Sequence, residues 1–290
     1  MELDCWRWDN SLIEKSNSLV IIQLGKKLLF HYQEDDLAAM SAQISYYLIL
    51  AFFPFLFFLI NLISFTPLPN RLLIANFNAI LPRDTALLVK TMLEETIQAK
   101  SETLLVLSIL ASLWAASRGM SAIIRGLNHS YGVRESRNYI KLNLIALLST
   151  IGLTLMIIFS FFMIVLGRVI GSTVFGYLGA KSLFYSIWGV LRYGITFALL
   201  LVTFYLIYKY LPNRKYSGEQ IMAGTIFATF GWVAASLLFS FYVNNFGSYA
   251  TVYGSLGGMF ALIIWLYLST LIFLLGGVIN AICSDFKKKA

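Results

Sequence analysis

Long apolar runs separated by shorter polar stretches set the pattern of this chain. The runs lie at Leu37–Ile63, Leu104–Ile124, Leu142–Leu166, Leu183–Tyr208, Ile221–Val243 and Ser255–Ile282. Each approaches or exceeds the ~20 residues that a helix needs to cross ~30 Å of hydrocarbon. Inside a bilayer every backbone polar group has to be bonded within its own segment, so runs of this length predict helices. The expectation is an all-α polytopic membrane protein with six transmembrane helices over residues 37–282. A further stretch, Leu19–Gln33 (LVIIQLGKKLLFHYQ), is too short to span and is interrupted by Lys26, Lys27 and His31. It suits an amphipathic helix in the membrane interface, and equally a helix packed on one end of the bundle. Glu34, Asp35 and Asp36 follow it, where carboxylates favour the start of the next helix. The organisation expected is an arm with an interfacial helix at 1–36, a membrane domain at 37–282 and a basic tail at 283–290.

Two interruptions refine the pattern. Pro54 sits inside the first run and cannot donate to the carbonyl of Leu50, so it bends that helix. The kink is expected to open space beside Tyr46 and Tyr47, with Gln43 and Ser45 making the first turns polar. The connection Ser64–Thr103 is far longer than a tight turn and holds Pro67, Pro69 and Pro82. Within it, Asp84–Lys100 places Leu88, Val89, Met92, Leu93 and Ile97 on one side, the pattern of an amphipathic helix over the outer face.

Composition agrees: 59% of residues are hydrophobic and 12% charged, against ~25% charged in soluble domains. A net charge of +8 raises nucleic acid as a partner, but its placement argues against that. Fifteen Lys and Arg fall on one side of the six-helix topology, in the N-terminal arm, around residues 118–141, at Lys209, Arg214 and Lys215, and at Lys287–Lys289. Six fall on the other, four of them in the long first connection. By the positive-inside rule the first side, with both termini, is cytoplasmic, and its partners are anionic lipid headgroups. Cys5 and Cys283 form no paired or metal-spaced motif. MELDCWRWDN lacks the basic and apolar regions of a signal peptide. With three spans in each half the halves run in opposite directions, which permits an inverted repeat. Pro54 has no counterpart in the fourth span.

Three blocks carry a resemblance: LAAMSAQISYYLILAFFPFLFFLINL (37–62), WAASRGMSAIIRGLNHSYGVRESRNYIK (114–141) and YATVYGSLGGMFALIIWLYLSTLIFLLGGVINAI (249–282). In order and spacing they resemble the YihY/virulence factor BrkB family of bacterial inner-membrane proteins. The resemblance implies a six-helix inner-membrane protein. The family has carried both a ribonuclease BN label and a transporter label, and it supplies no catalytic residues to transfer.

The residues themselves give candidates. Arg192 lies nine residues into its run, ~14 Å deep. A charge at that depth marks a functional candidate, with snorkelling to the surface as the bland alternative. No Asp or Glu lies in any of the six runs, so its expected partners are backbone, water, lipid phosphate or an anionic ligand. The same lack disfavours a proton relay of the carboxylate kind. Arg118, Arg125 and Asn128, at i, i+7 and i+10, are expected on one helical face, lining a vestibule for an anion or anchoring headgroups. Gly254, Gly257 and Gly258 open the last run and Gly276 and Gly277 close it, for close helix packing or for unwinding around a ligand. Asn280, Asn61 and Gln43 are suited to cross-linking helices. No HExxH, GxSxG or GxxxxGK[ST] occurs, and the chain is expected not to be an enzyme and to need no cofactor or metal. The function expected is transport of a polar or anionic substrate, a lipid-derived one among the options, past Arg192. The alternative is a non-transporting envelope scaffold or lipid-binding protein.

Overall fold

The computed structural model describes residues 17–34, 36–64, 102–177, 181–246 and 255–289. Among them all regular structure is helical: α1 (Asn17–Glu34), α2 (Leu37–Ser64), α3 (Glu102–Ser130), α4 (Tyr139–Tyr177), α5 (Lys181–Tyr210), α6 (Gly218–Phe246) and α7 (Ser255–Lys289). Five stretches are long and apolar enough to cross a membrane: Glu102–Ser130, Tyr139–Ser160, Phe184–Tyr210, Gly218–Val243 and Gly258–Ser284. A shorter apolar helix, Leu37–Phe52, lies in α2, and α2 continues through Pro54 to Ser64. This is a polytopic, all-helical membrane protein. The amphipathic helix expected at 84–100 lies outside the described residues.

Local chemistry ends the helices where the pattern changes. Gly132 adopts φ 60° just past α3, a left-handed conformation that a residue without Cβ enters freely. Val133 N–H then bonds the Asn128 carbonyl and Gly132 N–H that of His129, the paired bonds of a Schellman cap. Asn138 caps α4 by accepting the Lys141 amide at 2.9 Å. Ser217 and Gln220 form a capping box at α6, Gln220 Oε1 accepting the Ser217 N–H at 2.8 Å.

The helices close a ring: α2 packs on α3, then α3 on α4, α4 on α5, α5 on α6, α6 on α7, and α7 returns to α2. Helix α7 also touches α3, and α1 lies against α7 and α2. Leu28 and Tyr32 of α1 pack on the core, which favours the bundle-packed of its two expected placements. The ring is tightest at the end that carries the connections 131–138 and 211–217, here called the basic end. Leu37, Ile44, Ile124, Leu127, Tyr208, Ile221, Leu274 and Val278 are buried there. Two glycines make that possible, because a Cβ on Gly224 would strike the Gly276 carbonyl and one on Gly276 would strike the Tyr208 hydroxyl. Among the described residues, buried positions become fewer away from this end. Helices α4 and α5 meet through Trp188 against Gly167 and Phe184 against Gly171, an antiparallel register.

Candidate functional site

The described residues hold two different environments, a polar clamp at the basic end and an apolar cavity beyond it. The clamp is built on the two short connections. Buried Asn128 donates from Nδ2 to Glu135 Oε2 at 2.7 Å and accepts the Asn213 N–H on Oδ1 at 2.8 Å. Glu135 also receives Arg137 through Nε and Nη2, both at 2.7 Å, and Arg137 Nη2 donates on to the Leu211 carbonyl at 3.1 Å. Asn213 Nδ2 reaches Ser136 Oγ at 2.8 Å. The Arg137 guanidinium holds the Glu135 carboxyl below the usual carboxylate range. Beneath this layer Asn280 accepts the Gly224 N–H at 2.7 Å and donates to the Tyr131 hydroxyl at 3.3 Å. The Tyr131 and Tyr216 rings meet at a tilt, with centroids 4.6 Å apart, and burial pushes the Tyr131 phenol pKa up. Tyr208 donates to the Phe273 carbonyl at 2.6 Å. Every partner named lies in α3, α5, α6, α7 or their connections, so these bonds lock the basic end together.

The cavity has a volume of about 620 Å³ and lies between α2, α3, α4 and α7. Its walls include Phe52, Phe55, Leu113, Ile151, Ile158 and Trp265. Polar atoms are present but already occupied. Ser112 bonds the Ser108 carbonyl, Thr150 that of Ala146, Thr154 that of Thr150, and Trp265 Nε1 reaches Ser236 at 3.3 Å. Among the described residues the lining hydroxyls are thus all bonded within the protein, and the rest of the wall is apolar.

The structure separates residues that the sequence grouped. Asn128 is buried in the clamp, Arg125 is exposed and Arg118 is half-buried. At ~100° per residue Asn128 stands ~80° around the helix from Arg118, so the single vestibule face is corrected to two cations outside and one amide inside. Tyr46 and Gln43 are exposed, and Tyr47 packs against Gly119. The space near Pro54 is lined by Leu48, Ala51, Phe52, Phe55 and Phe58 instead of Tyr46 and Tyr47. Gly276 and Gly277 serve close packing, with Gly277 facing Leu127 and Ser130. Gly258 meets nothing within 4 Å, Gly257 lies in α7, and Gly254 is outside the described residues.

Arg192 is exposed rather than packed. Its Nη2 donates to the Tyr193 hydroxyl at 2.9 Å and its Cζ lies 4.7 Å from that ring. It shares a stripe of α5 with Thr196, Thr203 and Ile207, and Ile207 is buried in the core nearer the basic end. The register of α4 on α5 sets Arg192 level with Met163, five residues beyond Ile158 of the cavity wall, or ~7.5 Å. Lys209, at the basic end of α5, lies seventeen residues from Arg192, ~25 Å along the axis. With ~30 Å of hydrocarbon, that places the guanidinium toward the far edge rather than at mid-depth. Among the described residues no three of His, Cys, Asp and Glu come together in a metal-binding group.

The comparisons with known proteins fall in the same class. The family model for virulence factor BrkB matches residues 28–290. The chain belongs to the BrkB family. One relative of this BrkB-family chain is the ribonuclease-like protein YfkH of Bacillus subtilis (strain 168). It is 38% identical over 263 residues, covering 91% of this chain and 96% of that protein. A UPF0761 membrane protein of Alkalilimnicola ehrlichii is 28% identical over 249 residues, 84% of this chain and 54% of its own length. Another, from Aeromonas salmonicida, is 34% identical over 110 residues, 38% of each chain. No solved structure matches the BrkB-family chain.

Proposed function

We propose that this BrkB-family protein is an inner-membrane transporter of a lipid-derived amphiphile, a molecule with an apolar tail and a polar or anionic group. The observation that carries the reading is the cavity, a space of about 620 Å³ whose hydroxyls all bond within the protein. Such a lining suits a tail and gives a bare ion or sugar nothing to bind. The cavity wall on α4 runs from Thr150 to Ile158, and Arg192 is level with the next turn and a half. From Thr150 to that level is ~20 Å, comparable with the ~15 Å of one leaflet's hydrocarbon. A tail in the cavity and an anion at Arg192 fit one molecule. The packed basic end favours a second reading, in which the protein binds the amphiphile without moving it across.

The test is a single-tailed phospholipid with a photoactivatable group at the tail end, in proteoliposomes. Saturable labelling of α2 and α4 at the cavity wall, lost in Thr154→Trp, is expected. Labelling spread evenly over the outer surface would sink the cavity as a site. Transfer of a fluorescent analogue between leaflets separates the two readings. Arg192→Lys keeps the charge but loses the bidentate fork. It should reduce transfer almost as much as Arg192→Leu, and full function in Arg192→Lys would reduce the residue to a snorkelling cation.

A further inference from the structure

Helix α3 carries, down one exposed face, Leu107, Leu110, Trp114, Arg118 and Arg125, a stripe of i+3, i+4 and i+7 steps. All are exposed except Arg118, which is half-buried. The chemistry changes in order along it, from aliphatic to aromatic to cationic. A phospholipid presents acyl chain, glycerol region and phosphate in that order, with Trp and Tyr favoured at the boundary. Helix α4 supplies the other side, with Tyr139 at its start and Leu144 and Leu148 exposed beyond.

Arg118 is held ready at the boundary. Its Nη1 donates to the Tyr139 hydroxyl at 3.2 Å, and its Cζ stands 5.7 Å from the Trp114 ring centroid. Among the described residues no carboxylate pairs with Arg118, and its Nε–Nη2 edge is unused. Arg137, in the connection after α3, uses that edge fully on Glu135.

 The contrast is between an edge already neutralised in the clamp and one left open toward the membrane.

We propose that Arg118, Trp114 and Tyr139 form a binding site for the phosphate of an anionic phospholipid in the groove between α3 and α4, separate from the inner cavity. The open Nε–Nη2 edge matches two phosphate oxygens in a side-on pair of hydrogen bonds. The Tyr139 hydroxyl is within reach of a third, and the exposed leucines of α3 lie along the acyl chains. A free phosphate would use the same edge but gain nothing from the leucines.

The full chain in detergent, titrated with phosphatidylglycerol and separately with phosphatidylcholine, tests the site, with bound lipid counted by native mass spectrometry. Arg118→Gln and Arg118→Lys are each expected to weaken phosphatidylglycerol binding about tenfold, the loss of one charge-assisted bidentate contact. Phosphatidylcholine binding should stay low in all forms. Tyr139→Phe, which leaves the guanidinium in place, should lose a smaller factor and guards against misfolding of the Arg118 variants. Three results would overturn the site: Arg118→Lys binding like the unmodified chain, Arg125→Gln losing as much as Arg118→Gln, or inorganic phosphate competing as well as the lipid does.

Discussion

Asn280 offers the sharpest test of how the basic end is held. It is fully buried in α7, accepting the Gly224 N–H at 2.7 Å and donating to the Tyr131 hydroxyl at 3.3 Å. Asn280→Leu keeps a similar branched shape and removes both bonds. A buried polar group left without a partner costs ~1–3 kcal/mol, so two such groups give ~2–6 kcal/mol, offset by on the order of 1 kcal/mol from the added apolar surface. The expected net loss is therefore ~1–5 kcal/mol. Tyr131→Phe alone leaves only the Asn280 Nδ2 unpaired and should cost ~1 kcal/mol. Combined with Asn280→Leu, the same Tyr131→Phe should cost nothing or stabilise, because its hydroxyl has by then lost its partner. Unfolding of the four forms in mixed micelles, followed by circular dichroism, closes the double-mutant cycle. A coupling energy of ~1 kcal/mol or more is expected. A coupling near zero, or an Asn280→Leu chain as stable as the unmodified one, would refute the view that this asparagine ties α3, α6 and α7 together.

Two further outcomes follow from the clamp and from the charge pattern. Glu135 has a depressed folded pKa because of Arg137, so its contribution is present above the ordinary carboxylate value and is lost as pH falls through the folded one. The protection factors of residues 131–138, which correct exchange for its intrinsic slowing in acid, should be insensitive to this group at neutral pH and fall on acidification, and Glu135→Gln should remove that acid step; an unchanged acid step would show that other groups cause it. Single cysteines at Ser136 and Asn213, whose side chains hydrogen-bond each other at 2.8 Å, should label from the same side of the membrane, the cytoplasm, whereas one at Asn78 should label from the other. Labelling of the Asn213 probe from outside would overturn the topology.

The spans were legible because hydrocarbon imposes a length and forbids unbonded backbone, and those constraints act on composition alone. The pairing of Gly276 with a close neighbour was legible in kind but not in partner. The residue it meets, Gly224, sits on another helix, and only the fold states which glycines face each other. Asn128 shows the limit of spacing arguments: ten residues along a helix place it near Arg118 in sequence terms, yet the remaining rotation turns it into the clamp. Glu135 is the lone carboxylate among the cations from Arg118 to Lys141, but that it would bind Arg137 and Asn128 together depended on a cap and a connection. The cavity left no sequence signal, because its lining residues are ordinary span residues and a void is made by what fails to meet.

The clamp has a mechanical consequence. Asn128, Asn213 and Arg137 tie the connection after α3 to the connection after α5, so four helices share one fixed end. A set of rods pinned together at one end splays at the other, and a small angular change there becomes a large displacement at the free ends. Local opening should therefore grow with distance from the clamp, as weakly packed regions open at low free energy and cores near the global value. A guest entering the ring would then have its easiest route from the side of Arg192, away from the bonds that hold the basic end.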